Sequence, residues 1–69
     1  MNDWLAQTAA ALGSDEQLSG EEIDALLEIA RIAAHESGDR RNAPLLTYLV
    51  GRSRGERSLT EILEALRTS

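Results

Sequence analysis

The side chains best suited to chemistry in this sequence are a histidine and several arginines around the link between two helical segments. Arg31 and His35 are four residues apart, so they share one helix face. Arg40 and Arg41 follow shortly before Pro44, a residue type favoured in the first turn of a helix. Guanidinium groups beside free amides at a helix start can hold a phosphate or a carboxylate. We therefore predict an anion-binding site that consists of Arg31, His35, Arg40, Arg41 and the amides of Leu45 and Leu46.

The same residues also fit a solvated loop, in which the arginines pair with Asp39 or Glu36 and no glycine-rich phosphate cradle is present. As a general base His35 would need a nearby nucleophile, and neither Thr47 nor Ser37 stands at a recognisable spacing. One histidine without any cysteine provides too few ligands for a zinc site. We expect a helix-end imidazole that interacts with terminal carbonyls, and we expect no catalytic residue, metal or cofactor.

Four helical segments must position these side chains, and no stretch shows the strict alternation of a half-buried strand. Their expected bounds are 4–12, 20–36, 42 or 43 to 51 or 55, and 59–67. Ser19 and Glu22 have the spacing of a capping box before the second segment, and Ser58 and Glu61 repeat it before the fourth. Gly38 supplies a left-handed stop. The sequence therefore predicts an all-α fold, a compact bundle of four short helices with the second helix central, as one domain over residues 1–69.

The second helix has an unusually narrow polar face. Its polar stripe consists of Asp24, Glu28, Arg31 and His35, and nearly every other residue from 23 to 34 is apolar. A helix with so little polar surface is normally central, or lies between its own domain and a partner. We therefore expect docking on a second copy or on another protein, with a candidate interaction face of Ile23, Ala25, Ile29 and Ile32.

Length and composition fit a small core that gains from a partner. The 69 residues are 42% hydrophobic and contain neither phenylalanine nor cysteine, so the core is aliphatic and has no disulfide. Chains of this size usually bury only about 60% of the surface that their unfolded form exposes.

Charge and hydropathy exclude two classes of partner. Residues 1–39 carry nine acids against one arginine, net −8, whereas residues 40–69 are net +3, and the total of −5 argues against binding nucleic acid. The longest apolar run has four residues, far short of the roughly 20 that cross a bilayer. The first residues show no signal-peptide pattern, so we expect a cytoplasmic protein without membrane contact.

A set of short motifs between residues 30 and 51 resembles a known domain family. The motifs are Ala30-Arg31, Ala34-His35, Arg40, Ala43-Pro44-Leu45, Thr47-Tyr48-Leu49 and Gly51. They resemble a small actinobacterial helical domain of unknown function that also occurs appended to molybdopterin-guanine dinucleotide biosynthesis proteins. The resemblance spans residues 4–51, and it implies a cytoplasmic accessory domain with a link to molybdenum-cofactor assembly and no established catalytic residues.

Two functions follow from the sequence. The first is a non-enzymatic accessory or protein-interaction domain that docks through surplus apolar surface. The alternative is an anion- or nucleotide-binding helical domain that uses the arginine and histidine cluster at the start of the third helix.

Overall fold

The computed structural model describes residues 1–68, and these residues form four helices. The helices are α1 (Asp3–Ala11), α2 (Gly20–Ser37), α3 (Asn42–Ser53) and α4 (Leu59–Thr68). No strand occurs within residues 1–68, so the all-α prediction is confirmed. The sequence left the end of α3 open, and the helix continues past Gly51 to Ser53. The chain then turns at Gly55, whose φ of 60° lies in the left-handed region that favours glycine.

At the starts of α2 and α4, side chains form hydrogen bonds with backbone amides three residues away. At α2 the Ser19 Oγ accepts from the Glu22 amide (3.1 Å), and a Glu22 carboxylate oxygen accepts from the Ser19 amide (3.0 Å). This is the expected capping box. At α4 the Ser58 Oγ accepts from the Glu61 amide (3.1 Å), but the Glu61 carboxylate accepts from the Ser58 hydroxyl (3.3 Å). The second box is therefore a single side-chain cap.

The core forms where α3 and α4 both pack on α2. Its buried residues are Ala25, Ile29, Ala33, Val50, Leu59, Ile62 and Leu63. Ile29 on α2 is the largest side chain that is fully buried. The central position of α2 is therefore confirmed.

The first helix contributes no buried residue to this core. Trp4 is 69% exposed and Leu12, which follows the helix, is 81% exposed. The extensive helix pairings are instead those of α2 with α3 and of α2 with α4. Across residues 1–68, no helix has both the length and the apolar character required to cross a bilayer.

Candidate interaction surface and anion site

The expected interaction face on α2 is largely occupied by the domain itself. Ala25 is 5% exposed and Ile29 is 0% exposed, because α3 and α4 cover this side of the helix. Ile32 is partly buried against the same core, and Ile23 is half-buried. Ala25 and Ile29 are thus core residues and not part of an exposed docking face. The large exposed side chain of α2 is Leu27, at 65%.

The exposed apolar surface instead lies mainly on α3. Leu45 and Leu49 are each 59% exposed, and Tyr48 is 63% exposed. Leu45 and Leu49 stand beside an apolar groove of about 340 Å³ between α3 and the second half of α2. We call this the α2–α3 groove; its apolar lining is Ile32, Ala33, Leu45, Leu46 and Leu49. Glu36, Ser37 and Asn42 supply its polar lining.

The sequence contains a signal for this surface that periodicity alone did not show. Five of the six residues from 45 to 50 are apolar, which covers more than one side of a helix. Within α3, only Val50 is buried, and Leu46 is partly buried against the core. A single α2 neighbour cannot cover both sides of α3, so Leu45, Tyr48 and Leu49 remain exposed.

A second exposed apolar surface lies on and just after α1. Its large residues are Trp4, Leu5 and Leu12, with Leu5 at 38% exposure. The small side chains Ala6 and Ala10 line a depression with residues 14–17 of the following link. We call Trp4, Leu5 and Leu12 the α1 face.

Two arginines of the expected anion site are already paired with carboxylates. Arg41 binds Asp39 through both Nε and Nη2, with an Nη2–Oδ2 distance of 2.8 Å. The Arg41 guanidinium holds the pKa of the Asp39 carboxyl below its ordinary value. Arg31 pairs with Glu28 one turn earlier on α2, and this contact lowers the pKa of Glu28. The Asp39–Arg41 pair is the solvated-loop arrangement that the sequence left as an alternative.

Most of the amides at the start of α3 also have partners. The Asn42 amide donates to the Asp39 carbonyl (3.0 Å), and the Ala43 amide donates to the Arg40 carbonyl (3.2 Å). Pro44 has no amide hydrogen. Leu46 stands four residues after Asn42, so the Asn42 carbonyl is its intrahelical partner. Leu45 stands four residues after the N-cap residue Arg41, so the Arg41 carbonyl is the corresponding acceptor for its amide.

His35 and Arg40 are both exposed. In the described chain, no hydrogen bond or ion pair joins Arg31 or His35 to Arg40 or Arg41. The six residues of the expected site are thus spread over α2, the α2–α3 link and α3, and anion binding stays a prediction. The Thr47 hydroxyl donates to the carbonyls of Ala43 (3.1 Å) and Pro44 (2.9 Å) in its own helix. Residues 1–68 contain no group of three metal-ligating side chains arranged to hold an ion.

The basic turn between α3 and α4 is internally bonded. Arg54 reaches back to the start of α2, where its Nη1 lies 3.4 Å from Glu22 Oε2. Its Nε donates to the Arg57 carbonyl (2.7 Å), and Arg57 donates to the Ser53 carbonyl (2.6 Å). The pKa of Glu22 is lowered first by the Ser19 amide and then by Arg54. An open groove of about 860 Å³ beside this turn is lined by both arginines and by glutamates, so it favours no single ligand charge.

Residues 1–69 match the domain of unknown function DUF6457. The chain belongs to this family. No curated protein and no solved structure matches the DUF6457 domain described here. The expectation of a small helical domain of unknown function is confirmed.

Proposed function

We propose that this DUF6457 domain is a non-enzymatic interaction module that docks on a protein surface through the α2–α3 groove. The observation that carries the proposal is the exposure of Leu45 and Leu49, each 59%, on one side of an apolar groove. Contiguous exposed apolar surface in a small domain is typical of an interaction site. Isolated surface leucines would carry no such meaning.

The free energy that favours docking comes from removing this surface from water. Apolar burial contributes roughly 25 cal/mol per Å² of area, so two leucines and a tyrosine can supply a substantial part of a binding free energy. Tyr48 adds an aromatic side chain, a type enriched in interfaces. Arg52 lies over the Tyr48 ring, 5.8 Å from its centroid, and gives this end of the surface a positive charge.

We also propose a cellular compartment and a class of partner protein for the domain. It acts in the cytoplasm, as an accessory to molybdenum-cofactor assembly. Its support is the resemblance over residues 4–51 to a domain that is also appended to molybdopterin-guanine dinucleotide biosynthesis proteins. The groove supplies a surface on which such a protein can dock.

Titration calorimetry tests the proposal with the purified domain and a purified molybdopterin-guanine dinucleotide biosynthesis protein from the same organism. The wild type should bind, and the double variant Leu45→Asp/Leu49→Asp should lose binding because a carboxylate is costly to bury without a partner. Leu27→Asp is the matched control, since Leu27 is equally exposed but lies outside the groove. Circular dichroism confirms that all three chains keep their helix content.

Two negative results have different meanings. Absence of binding to the biosynthesis protein rejects the molybdenum-cofactor link. If the domain also shows no self-association, or if Leu27→Asp weakens association as much as the double variant does, the groove is not the docking surface.

A further inference from the structure

We propose that the α2–α3 groove receives the α1 face of a second copy of this chain, and that the exchange is reciprocal in a two-fold dimer. The inference rests on the proposed function, because it names the occupant of the same groove when no other protein is bound there. In the monomer α1 presents Trp4, Leu5 and Leu12 to solvent. The groove and the α1 face are thus two unpartnered apolar surfaces on one molecule.

Charge complementarity selects α1 as the occupant. Acidic residues lie beside the α1 face: Asp3 is at the start of the helix, and Asp15 and Glu16 are in the link that folds back towards Ala6 and Ala10. None of these carboxylates forms an ion pair within residues 1–68. The α1 face is therefore complementary to an apolar surface with positive charges beside it.

The exposed face of α3 has the opposite charges at its ends. Arg40 precedes the helix and Arg52 lies in its last turn. Neither arginine is in an ion pair within the described part of the chain, and the Arg52 guanidinium lies over the Tyr48 ring. Acids without an ion pair therefore lie beside one apolar surface, and arginines without an ion pair lie at the ends of the other.

The positions of these charges favour pairing α1 of one copy with α3 of the other. The link after α1 folds back at Gly13, so its carboxylates lie alongside the helix. When α1 of one copy lies along α3 of the other, these acids can meet an arginine of α3 while the apolar side chains meet between the two helices.

The area that a stable dimer needs explains why the contact must be reciprocal. A standard interface covers about 800 Å² on each partner, which is roughly a seventh of the 5384 Å² surface of this chain. One nine-residue helix in one groove uses only half of the available apolar surface. Two-fold symmetry forms the contact twice and covers the α1 face and the groove on both copies.

Sedimentation equilibrium of the full chain over a concentration series tests the proposal with three variants. Trp4→Asp on α1 and Leu49→Asp on α3 should each raise the dimer dissociation constant by about thirtyfold, the loss expected for an interface hot spot. Leu27→Asp on α2 should leave it unchanged. All three residues are well exposed in the single chain, so the variants fold, and circular dichroism confirms this.

A mixture of isotope-labelled and unlabelled wild type then identifies the contact. Isotope-filtered NMR should show intermolecular contacts between the Trp4 indole and the methyl groups of Leu45 or Leu49. If the wild type is monomeric, the proposed binding of α1 to the groove of a second copy is wrong. It is also wrong if a dimer forms and only Leu27→Asp disrupts it. Contacts from Trp4 to these methyls within one chain overturn it as well. These outcomes leave the groove free for another protein, so the calorimetric test of the proposed function is decided separately.

Discussion

The strongest test of the fold is the replacement of Ile29 by alanine. Ile29 is 0% exposed at the centre of α2, where residues of α3 and α4 meet. Truncating a fully buried isoleucine costs about 2–5 kcal/mol, since the apolar transfer energy is lost and a cavity remains. A domain of 69 residues has a total stability of about 3–10 kcal/mol. The substitution therefore removes a large part of the folding free energy.

The assay is thermal and urea unfolding followed by circular dichroism. In a domain of this size each kcal/mol shifts Tm by about 4–8 °C, so Ile29→Ala should lower Tm by at least about 8 °C. Leu27→Ala on the same helix removes the same number of carbon atoms from a side chain that is 65% exposed. It should change stability by no more than about 0.5 kcal/mol. Equal destabilisation by the two variants would refute the position of the core on α2.

Two further predictions concern charge. The pKa of Glu22 in the folded protein lies below its ordinary value of 4.5. The ionised Glu22 carboxylate therefore contributes fully to stability above pH 4.5, and this contribution is lost as the pH falls through the folded pKa. Glu22→Gln should make the acid side of the stability-versus-pH curve less steep in urea unfolding, and an unchanged slope contradicts the role of the Ser19 amide. For the anion hypothesis, titration of nitrogen-labelled protein with inorganic phosphate should shift the Leu45 amide. Arg40→Ala should weaken that shift, and an amide that does not move rejects the site.

The proposed docking surface follows from the small size of the core. Among residues 1–68, seven side chains are buried, whereas large apolar residues on α1, α2 and α3 stay exposed. A domain of this length cannot place all of its apolar side chains inside, because too much of its volume lies near the surface. The association that we propose would cover part of this exposed apolar surface.

The sequence alone determined the helices and most of their ends. Ser19 and Glu22 satisfy each other's backbone amides across three residues, and Asn2 accepts from the Leu5 amide at the start of α1. Gly38 ends α2 with a φ of 73°. These interactions are local, so residue type and spacing are sufficient to predict them.

The tertiary structure decided which apolar side chains are covered. On α2 the residues Ala25, Ile29 and Leu27 are all apolar, and only the positions of α3 and α4 place the first two in the core and the third in solvent. The same holds for α3, where Val50 is buried and Leu49 is not. Hydrophobic attraction has no direction, so a helix that is apolar on most sides does not specify where its neighbours lie. The packing of α2 against α3 therefore determines the exposed groove, which the types of its lining residues do not specify by themselves.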